Sequence, residues 1–341
     1  MASRCLEEER SGRQTRSSGI DSTPTKAAAA GAGELALAVL AAPGPPQLTI
    51  LGHLEQNDKV KLGSACTSLR QASLAWFPEV TVKVKVGRID LAWLAAWLER
   101  HQARLHILLE PDDEEDDYQL SKKWNDSLTA LPSSLVTSLA VHLPIELPAP
   151  VSTLTALTRL ELKFTECVLY NSDEDSDDYC KMEFMSTHHL RPLMQLRQLG
   201  FEDSSMSDNG EELLSLPALA GLQALRLARC YLEQLPRALS AHTQLTALDL
   251  SGTHVSALAP LAALQRLQSL DLRNCGLTAV PEQLSVLTAL TRLDLADNEQ
   301  LAGGWQHLLP LTQLRNLNLC GTPFGSGRVP PELAGLKHLR A

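Results

Sequence analysis

The stretch from Leu222 to Thr322 repeats one nine-residue phrase, L-x-x-L-x-L-x-x-N/C/T, five times. The copies read LQALRLARC (222–230), LTALDLSGT (245–253), LQSLDLRNC (267–275), LTRLDLADN (290–298) and LRNLNLCGT (314–322). Successive copies begin 23, 22, 23 and 24 residues apart. A constant period of this size indicates one supersecondary unit stacked repeatedly on its neighbour.

Within each copy the leucines alternate with other residues, which predicts a short strand with one side in a core and the other in water. A second apolar series between copies, such as Leu277, Val280, Leu284 and Leu287, predicts a helix or turn that packs from the opposite side. One unit alone cannot bury both sets, but stacked units bury them against each other. The pattern resembles leucine-rich repeats. That resemblance implies an α/β solenoid with a curved parallel sheet on its concave side and helices or turns on its convex side.

The ninth position of the phrase usually carries asparagine in such repeats, and Asn298 keeps it here. Cys230, Thr253, Cys275 and Thr322 occupy the same position in the other copies. Cysteine and threonine are small and still supply a buried S–H or O–H donor. We therefore interpret Cys230 and Cys275 as structural residues.

No reaction centre is recognisable in the sequence. The ten histidines accompany no nucleophile motif, and neither G-x-S-x-G, C-x-x-C nor a phosphate-binding glycine loop occurs. The segment DEDSDD (173–178) lacks the glycine and the terminal glutamate of an EF-hand loop. We predict a protein that is not an enzyme, with no catalytic residues, no metal and no cofactor.

The net charge of -10 is concentrated in two runs, because residues 110–117 hold seven acidic residues and residues 173–178 hold five. Without those runs the chain carries +2, which gives no support for a broad nucleic-acid or membrane surface. No apolar run approaches the roughly 18 residues of a membrane helix, and no signal peptide is recognisable. We expect a soluble cytoplasmic protein, with the nucleus or a cilium or axoneme as alternatives.

Three regions are predicted. Residues 1–44 contain too few large apolar residues for a core and predict a disordered tail, with an organelle transit peptide as the alternative that Glu7–Glu9 argue against. Residues 45–79 predict a small helical head that caps the solenoid, and residues 80–341 the repeat array. Acidic insertions at about 110–126 and 166–190 should form loops on one face.

The head resembles an F-box. Pro46 begins it, ILGHL (50–54) matches the first helix, Asp58 opens the second, and Ala65-Cys66 and Leu69-Arg70 follow, although an aromatic residue is common where Leu69 stands. A cap for the first repeat is the alternative, and one segment can serve both purposes. The resemblance assigns adaptor binding to Leu51, Leu54, Asp58, Val60, Leu62 and Leu69.

The fifth position of each phrase should project from the concave face, with neighbouring copies about 4.8 Å apart. Its occupants are Arg226, Asp249, Asp271, Asp294 and Asn318. This stripe is either a binding site for a basic protein surface or the residue choice common in such repeats. Arg229, Arg273 and Arg292 follow closely in sequence and are expected to neutralise it.

Head and array together resemble the F-box and leucine-rich repeat proteins of green algae and plants. This resemblance implies a protein-interaction subunit that docks on a Skp-type adaptor of an SCF-type cullin-RING ubiquitin ligase and recruits a substrate on its concave face. The alternative is a leucine-rich repeat scaffold of signalling or ciliary complexes without a ligase. Phrases such as LEQLPRAL (232–239) suit both.

A sixth phrase begins at VPPELAGLKHLRA (329–341) and stops before its L-x-L is complete. The sequence therefore predicts a chain that is either truncated or protected by a partner at that end.

Overall fold

The computed structural model describes residues 79–85, 91–101, 103–110, 117–143, 147–164, 187–206, 209–232, 234–255 and 257–324, together with Leu333 and Leu336. The chain divides into two compact units, 1–76 and 77–341, and all of these residues lie in the second. The predicted disordered tail and the six adaptor-binding residues of the F-box-like head lie outside the described residues, so the head stays a prediction.

The described residues of the second unit form one sheet of ten parallel strands in sequence order. Each strand pairs with the next one along the chain, as a stack of repeated units requires. The strands are β1 (Glu79–Lys85), β2 (Arg104–Glu110), β3 (Val136–Leu143), β4 (Arg159–Phe164), β5 (Gln198–Glu202), β6 (Ala224–Ala228), β7 (Ala247–Asp249), β8 (Ser269–Asp271), β9 (Arg292–Asp294) and β10 (Asn316–Asn318).

Equivalent positions of the phrase face each other across the sheet. Leu248 pairs with Leu270, and Leu270 pairs with Leu293. Each of these leucines is 2% exposed, because the strand alternation turns them towards the core. The leucine-rich repeat solenoid predicted from the spacing is thereby confirmed.

Helices and turns connect the strands and bury the second apolar series. The α-helices of the described residues are α1 (Leu91–His101), α2 (Asp117–Thr129) and α3 (Gly210–Leu214). Where the period is 22–24 residues, only short 3-10 helices fit between strands. The 3-10 segments are Ala149–Thr153, Thr187–Leu190, Pro217–Leu219, Arg237–Ala241, Ala259–Ala263, Glu282–Val286 and Trp305–Leu308.

Helix α2 lies partly within the first stretch predicted as an acidic loop. Its Trp124 and Leu128 are four residues apart and almost fully buried, so this part of the stretch packs into the core. Most of the second predicted insertion, residues 165–186, lies outside the described residues.

The eighth position of the phrase turns the chain out of the strand in a left-handed conformation. Arg229, Asn274 and Asp297 have φ between 50° and 58°, and Gly252 has φ 69°. The amide of Gly252 then donates to the carbonyl of Arg273 in the next repeat at 2.8 Å, which extends the ladder beyond the strand. Glycine adopts this conformation without the steric penalty of a side chain.

The ninth position holds the repeats together from inside, as expected. The Thr253 hydroxyl donates to the Leu227 carbonyl at 2.7 Å, and the Cys275 thiol to the Leu250 carbonyl at 3.2 Å. Burial raises the pKa of the Cys275 thiol to about 12, so it stays protonated and serves as a donor. Each of these bonds joins one repeat to the repeat before it.

The last described repeat packs Phe324 edge-on against Trp305, with ring centroids 5.1 Å apart. Leu333 and Leu336 are buried in the same core. The rest of the segment after residue 324 lies outside the described residues.

Candidate functional site

One side of the sheet packs against the core, and the opposite side is named the open face. The fifth-position side chains lie on this open face, next to one another. The register places Arg226 beside Asp249, Asp249 beside Asp271, Asp271 beside Asp294, and Asp294 beside Asn318. These five residues, named the aspartate row, are the stripe expected from the sequence.

One oxygen of each carboxylate in the aspartate row bonds to the chain's own backbone. The Oδ1 atom of Asp249 accepts the amide of Ser251 at 2.9 Å, and that of Asp294 accepts the amide of Ala296 at 3.0 Å. Asp271 and Asn318 accept the amide two residues on in the same way. Aspartate and asparagine favour this short turn, which gives the row a structural role at the end of each strand.

The other oxygens are bound by neighbouring side chains. Arg226 Nε donates to Asp249 Oδ2 at 2.9 Å, and Asn318 Nδ2 donates to Asp294 Oδ2 at 3.0 Å. Arg273 Nη2 lies 2.8 Å from Asp271 Oδ2. The repulsion between three adjacent aspartates is thus offset within the chain.

The three arginines expected to neutralise the row behave differently. Arg273 does so, and its Nε also lies 3.7 Å from Asp294 Oδ2. Arg229 instead binds Asp203, with Nε 2.7 Å from Oδ1, and Glu202. Among the described residues Arg292 forms no ion pair. The expectation is therefore confirmed for Arg273 and wrong for Arg229 and Arg292.

Glu202 is the centre of an ion-pair network that sequence reasoning missed. Its side chain is 14% exposed, lies 3.1 Å from Lys163 Nζ, and also binds Arg226 and Arg229. Burial alone would raise the pKa of Glu202, but hydrogen bonds from Lys163 and Arg226 and the charges of both arginines lower it to about 2. The signal in the sequence is an acidic pair, Glu202-Asp203, one repeat before two arginines.

We predict that Glu202→Gln destabilises the protein at neutral pH by about 1–2 kcal/mol, after allowing for solvent screening. Because the folded pKa is lowered from 4.5 to about 2, the contribution of Glu202 is complete above pH 4.5 and is lost as the pH falls towards 2. Urea unfolding at pH 7 and pH 3 measures the difference.

The control for this prediction is Glu161→Gln. Among the described residues Glu161 forms an ion pair only with Arg159, at 2.7 Å, and it is more exposed, so the substitution should cost less than Glu202→Gln at pH 7. An equal loss at both pH values for Glu202→Gln would contradict the assignment of the network.

Small residues leave the middle of the open face low. Ala224 on β6 pairs with Ala247 on β7, and Gly200 on β5 lies two residues further along the strands, beside Arg226. A groove of about 360 Å³ lies over Ala224 and Ala247, with Arg159 and Asp271 among its walls. A second groove, of about 250 Å³, includes Gly200.

The surroundings of His142, in the second groove, favour the uncharged form of its imidazole. His142 on β3 lies beside Lys163 in register. Burial and the charge of Lys163 lower the pKa of His142, despite the nearby carboxylates.

Within the described residues, no group of three or more His, Cys, Asp or Glu side chains is placed to hold a metal ion. None of the helices seen in that part of the chain has the length and apolar character needed to cross a membrane.

Residues 266–287 match the family model of the Leucine Rich Repeat. The match, the repeated phrase and the ten-stranded parallel sheet show that this chain contains leucine-rich repeats. No curated protein matches the chain.

Several solved structures are similar. A leucine-rich repeat protein of Leptospira interrogans is 18% identical, with a TM-score of 0.44, over 71% of this chain and 61% of that one. An internalin of Listeria monocytogenes is 16% identical, with a TM-score of 0.44, over 83% of this chain and 92% of that one. The ectodomain of the Arabidopsis receptor kinase HAESA, in complex with an N-terminally extended IDA peptide hormone, is 22% identical, with a TM-score of 0.44. The match covers 62% of this chain and 34% of that one.

Proposed function

We propose that this chain is a protein-interaction protein without catalytic activity, and that its open face binds a protein partner. The observation that carries the proposal is the continuous face of ten parallel strands. On this face polar and charged side chains surround low grooves over small residues, which suits the insertion of a partner's larger side chains. Stacked repeats commonly use such extended surfaces for binding.

We further propose that residues 45–79 act as an F-box, so that the chain recruits a substrate to an SCF-type ubiquitin ligase in the cytoplasm. Support comes from the sequence: ILGHL (50–54), Asp58 and Ala65-Cys66 match the motif, and a repeat array follows directly. In this proposal the head binds a Skp-type adaptor and the open face binds the substrate.

A scaffold without a ligase is the second candidate, in the cytoplasm, the nucleus or a cilium. It is favoured by the L-x-x-L-P-x-x-L phrases, such as LEQLPRAL (232–239), which are equally typical of leucine-rich repeat scaffolds.

We predict that Leu54→Asp abolishes binding of the full chain to a purified Skp-type adaptor. A carboxylate on an apolar helix face that a partner covers is strongly unfavourable at the interface. Co-purification with the adaptor measures the loss, and an unchanged circular dichroism melt of the variant shows that the repeats remain folded. Undiminished binding by Leu54→Asp, or no binding by the unaltered chain, favours the scaffold.

The open face is tested separately by Ala247→Trp. Ala247 lies in the groove at the centre of the open face, so a large side chain there should block binding of a partner protein. Cross-linking in cells measures how much partner protein the chain captures. The matched control is Ala241→Trp, because Ala241 ends the 3-10 helix Arg237–Ala241 on the other side of the strand layer. If Ala247→Trp captures as much partner protein as the control variant does, the open face is excluded as the binding site.

A further inference from the structure

Four arginines, Arg159, Arg197, Arg292 and Arg315, come earlier in the phrase than the carboxylates of the same repeats. From β4 to β10, the second and third positions of each phrase form two adjacent ladders across the sheet. Together these ladders, named the arginine band, contain fourteen residues without a single aspartate or glutamate. The band consists of Thr158, Arg159, Arg197, Gln198, Gln223, Ala224, Thr246, Ala247, Gln268, Ser269, Thr291, Arg292, Arg315 and Asn316.

Backbone bonds hold the band in register, so equivalent residues of neighbouring repeats lie side by side. The amide of Gln268 donates to the carbonyl of Thr246 at 2.8 Å, and the amide of Arg315 to that of Thr291 at 2.9 Å. None of the fourteen side chains is buried. The carboxylates of the same repeats lie two to five positions further along, at Glu161, Glu202, Asp203, Asp249, Asp271, Asp294 and Asp297.

The four arginines of the band lie in two pairs at its ends. Arg159 and Arg197 are on or next to the adjacent strands β4 and β5, and Arg292 and Arg315 on or next to β9 and β10. Between the pairs, β6, β7 and β8 contribute only alanine, serine, threonine and glutamine. At about 4.8 Å per strand, the gap from β5 to β9 is roughly 19 Å.

Most of this charge is unpaired within the described residues. Arg159 pairs with Glu161 at 2.7 Å, whereas Arg197 donates to the carbonyl of Leu196 at 3.0 Å. Arg292 and Arg315 form no ion pair with any described residue. The end of the band at β9 and β10 therefore offers two free guanidinium groups, which bind carboxylates through paired hydrogen bonds.

We propose that the arginine band binds an acidic segment of a partner protein that runs across the strands, with carboxylates near both ends and uncharged residues between them. This proposal rests on the proposed protein-binding function and specifies the chemistry of its partner. A segment in extended conformation spans the roughly 19 Å gap with about six residues. Its uncharged middle lies over the low surface of Ala224 and Ala247.

A protein segment fits the band better than a nucleic acid does. A phosphate chain carries its charge evenly, but the middle of the band has none. The aspartate row runs parallel to the band at about 7 Å, two residues along each strand, and would repel a polyanion along its whole length. A peptide places its few carboxylates only where the arginines are.

The test measures fluorescence anisotropy of labelled peptides with the full chain. The probe is a peptide of two glutamates, six serine or alanine residues and two further glutamates. One comparison peptide has glutamine in place of glutamate, and another has the four glutamates together at its centre. The probe should bind more tightly than both, and more weakly as salt rises.

The double variant Arg292→Glu/Arg315→Glu should weaken probe binding by about tenfold or more, because two attractive contacts become repulsive. The milder variant Arg292→Gln/Arg315→Gln should weaken it less, and it remains informative if the charge reversal impairs folding. Arg237→Glu makes the same charge change in the 3-10 helix Arg237–Ala241 and should change affinity by less than about twofold.

Equal binding of all three peptides, or tighter binding of a single-stranded oligonucleotide of similar length, would overturn the proposal. So would self-association of the chain that the double variant abolishes, because the band would then bind a second copy. If the probe fails while Ala247→Trp still blocks protein capture, this inference is wrong and the protein-binding function stands. If the probe binds but Ala247→Trp leaves the capture of partner proteins unchanged, the open face is rejected as the partner site.

Discussion

Replacing Asn298 by alanine should lower the free energy of unfolding by about 3–5 kcal/mol, since several buried polar groups lose their partner at once. Asn298 is 1% exposed. Its Oδ1 accepts the amides of Cys275 and Leu277 at 3.1 and 3.0 Å, and its Nδ2 donates to the carbonyls of Leu272 and Leu295 at 2.9 and 2.8 Å. The side chain thus bridges two repeats, and alanine leaves these backbone groups unsatisfied inside the stack.

The matched control is Asn298→Thr, because threonine occupies the ninth position at Thr253. There its hydroxyl donates to the Leu227 carbonyl of the preceding repeat at 2.7 Å. We expect the threonine hydroxyl to replace the donor of Asn298 but not the oxygen that accepts the amides of Cys275 and Leu277. The free energy of unfolding of Asn298→Thr should therefore lie between those of the wild type and of Asn298→Ala. Urea unfolding at pH 7 measures all three, and equal stability of Asn298→Ala and wild type would refute the bridging role.

The strands could be predicted from the sequence because their signal is local. In LQSLDLRNC (267–275) the alternation alone places Leu270 inside and Asp271 outside, and both lie there. These features depend on residues within one repeat, where spacing determines which side a residue occupies.

Helix α2 shows where local patterns mislead. Its sequence, DYQLSKKWNDSLT, begins in an acidic run and is mostly polar, so its apolar side consists of few residues. Trp124 and Leu128 were the available signal, because residues four apart share a helical face. Composition drew the prediction towards a loop, but two large buried side chains attach the helix to the core.

The placement of the aspartate row was predictable, but its partners were not. Which cation reaches Asp249 depends on the register between repeats, and Arg226 lies 23 residues away in sequence. The arginine band was hidden for a different reason. Net charge adds up all positions, and the band's arginines are offset by carboxylates two to five positions further along each repeat. Only the strand register places the arginines and the carboxylates in different ladders of the sheet.

Replacing Leu270 by alanine should cost about 2–5 kcal/mol, because the core loses the three carbon atoms beyond Cβ and a cavity is left behind. Leu270 is 2% exposed and lies between Leu248 and Leu293 of the neighbouring strands, so the stack cannot close the gap without moving two repeats. The control, Ser269→Ala, is one residue away on the same strand but on the open face, where the change should cost little. Urea unfolding of both variants compares the two sides of one strand directly. A similar loss for both would show that the register of β8, and with it the assignment of the open face, is wrong.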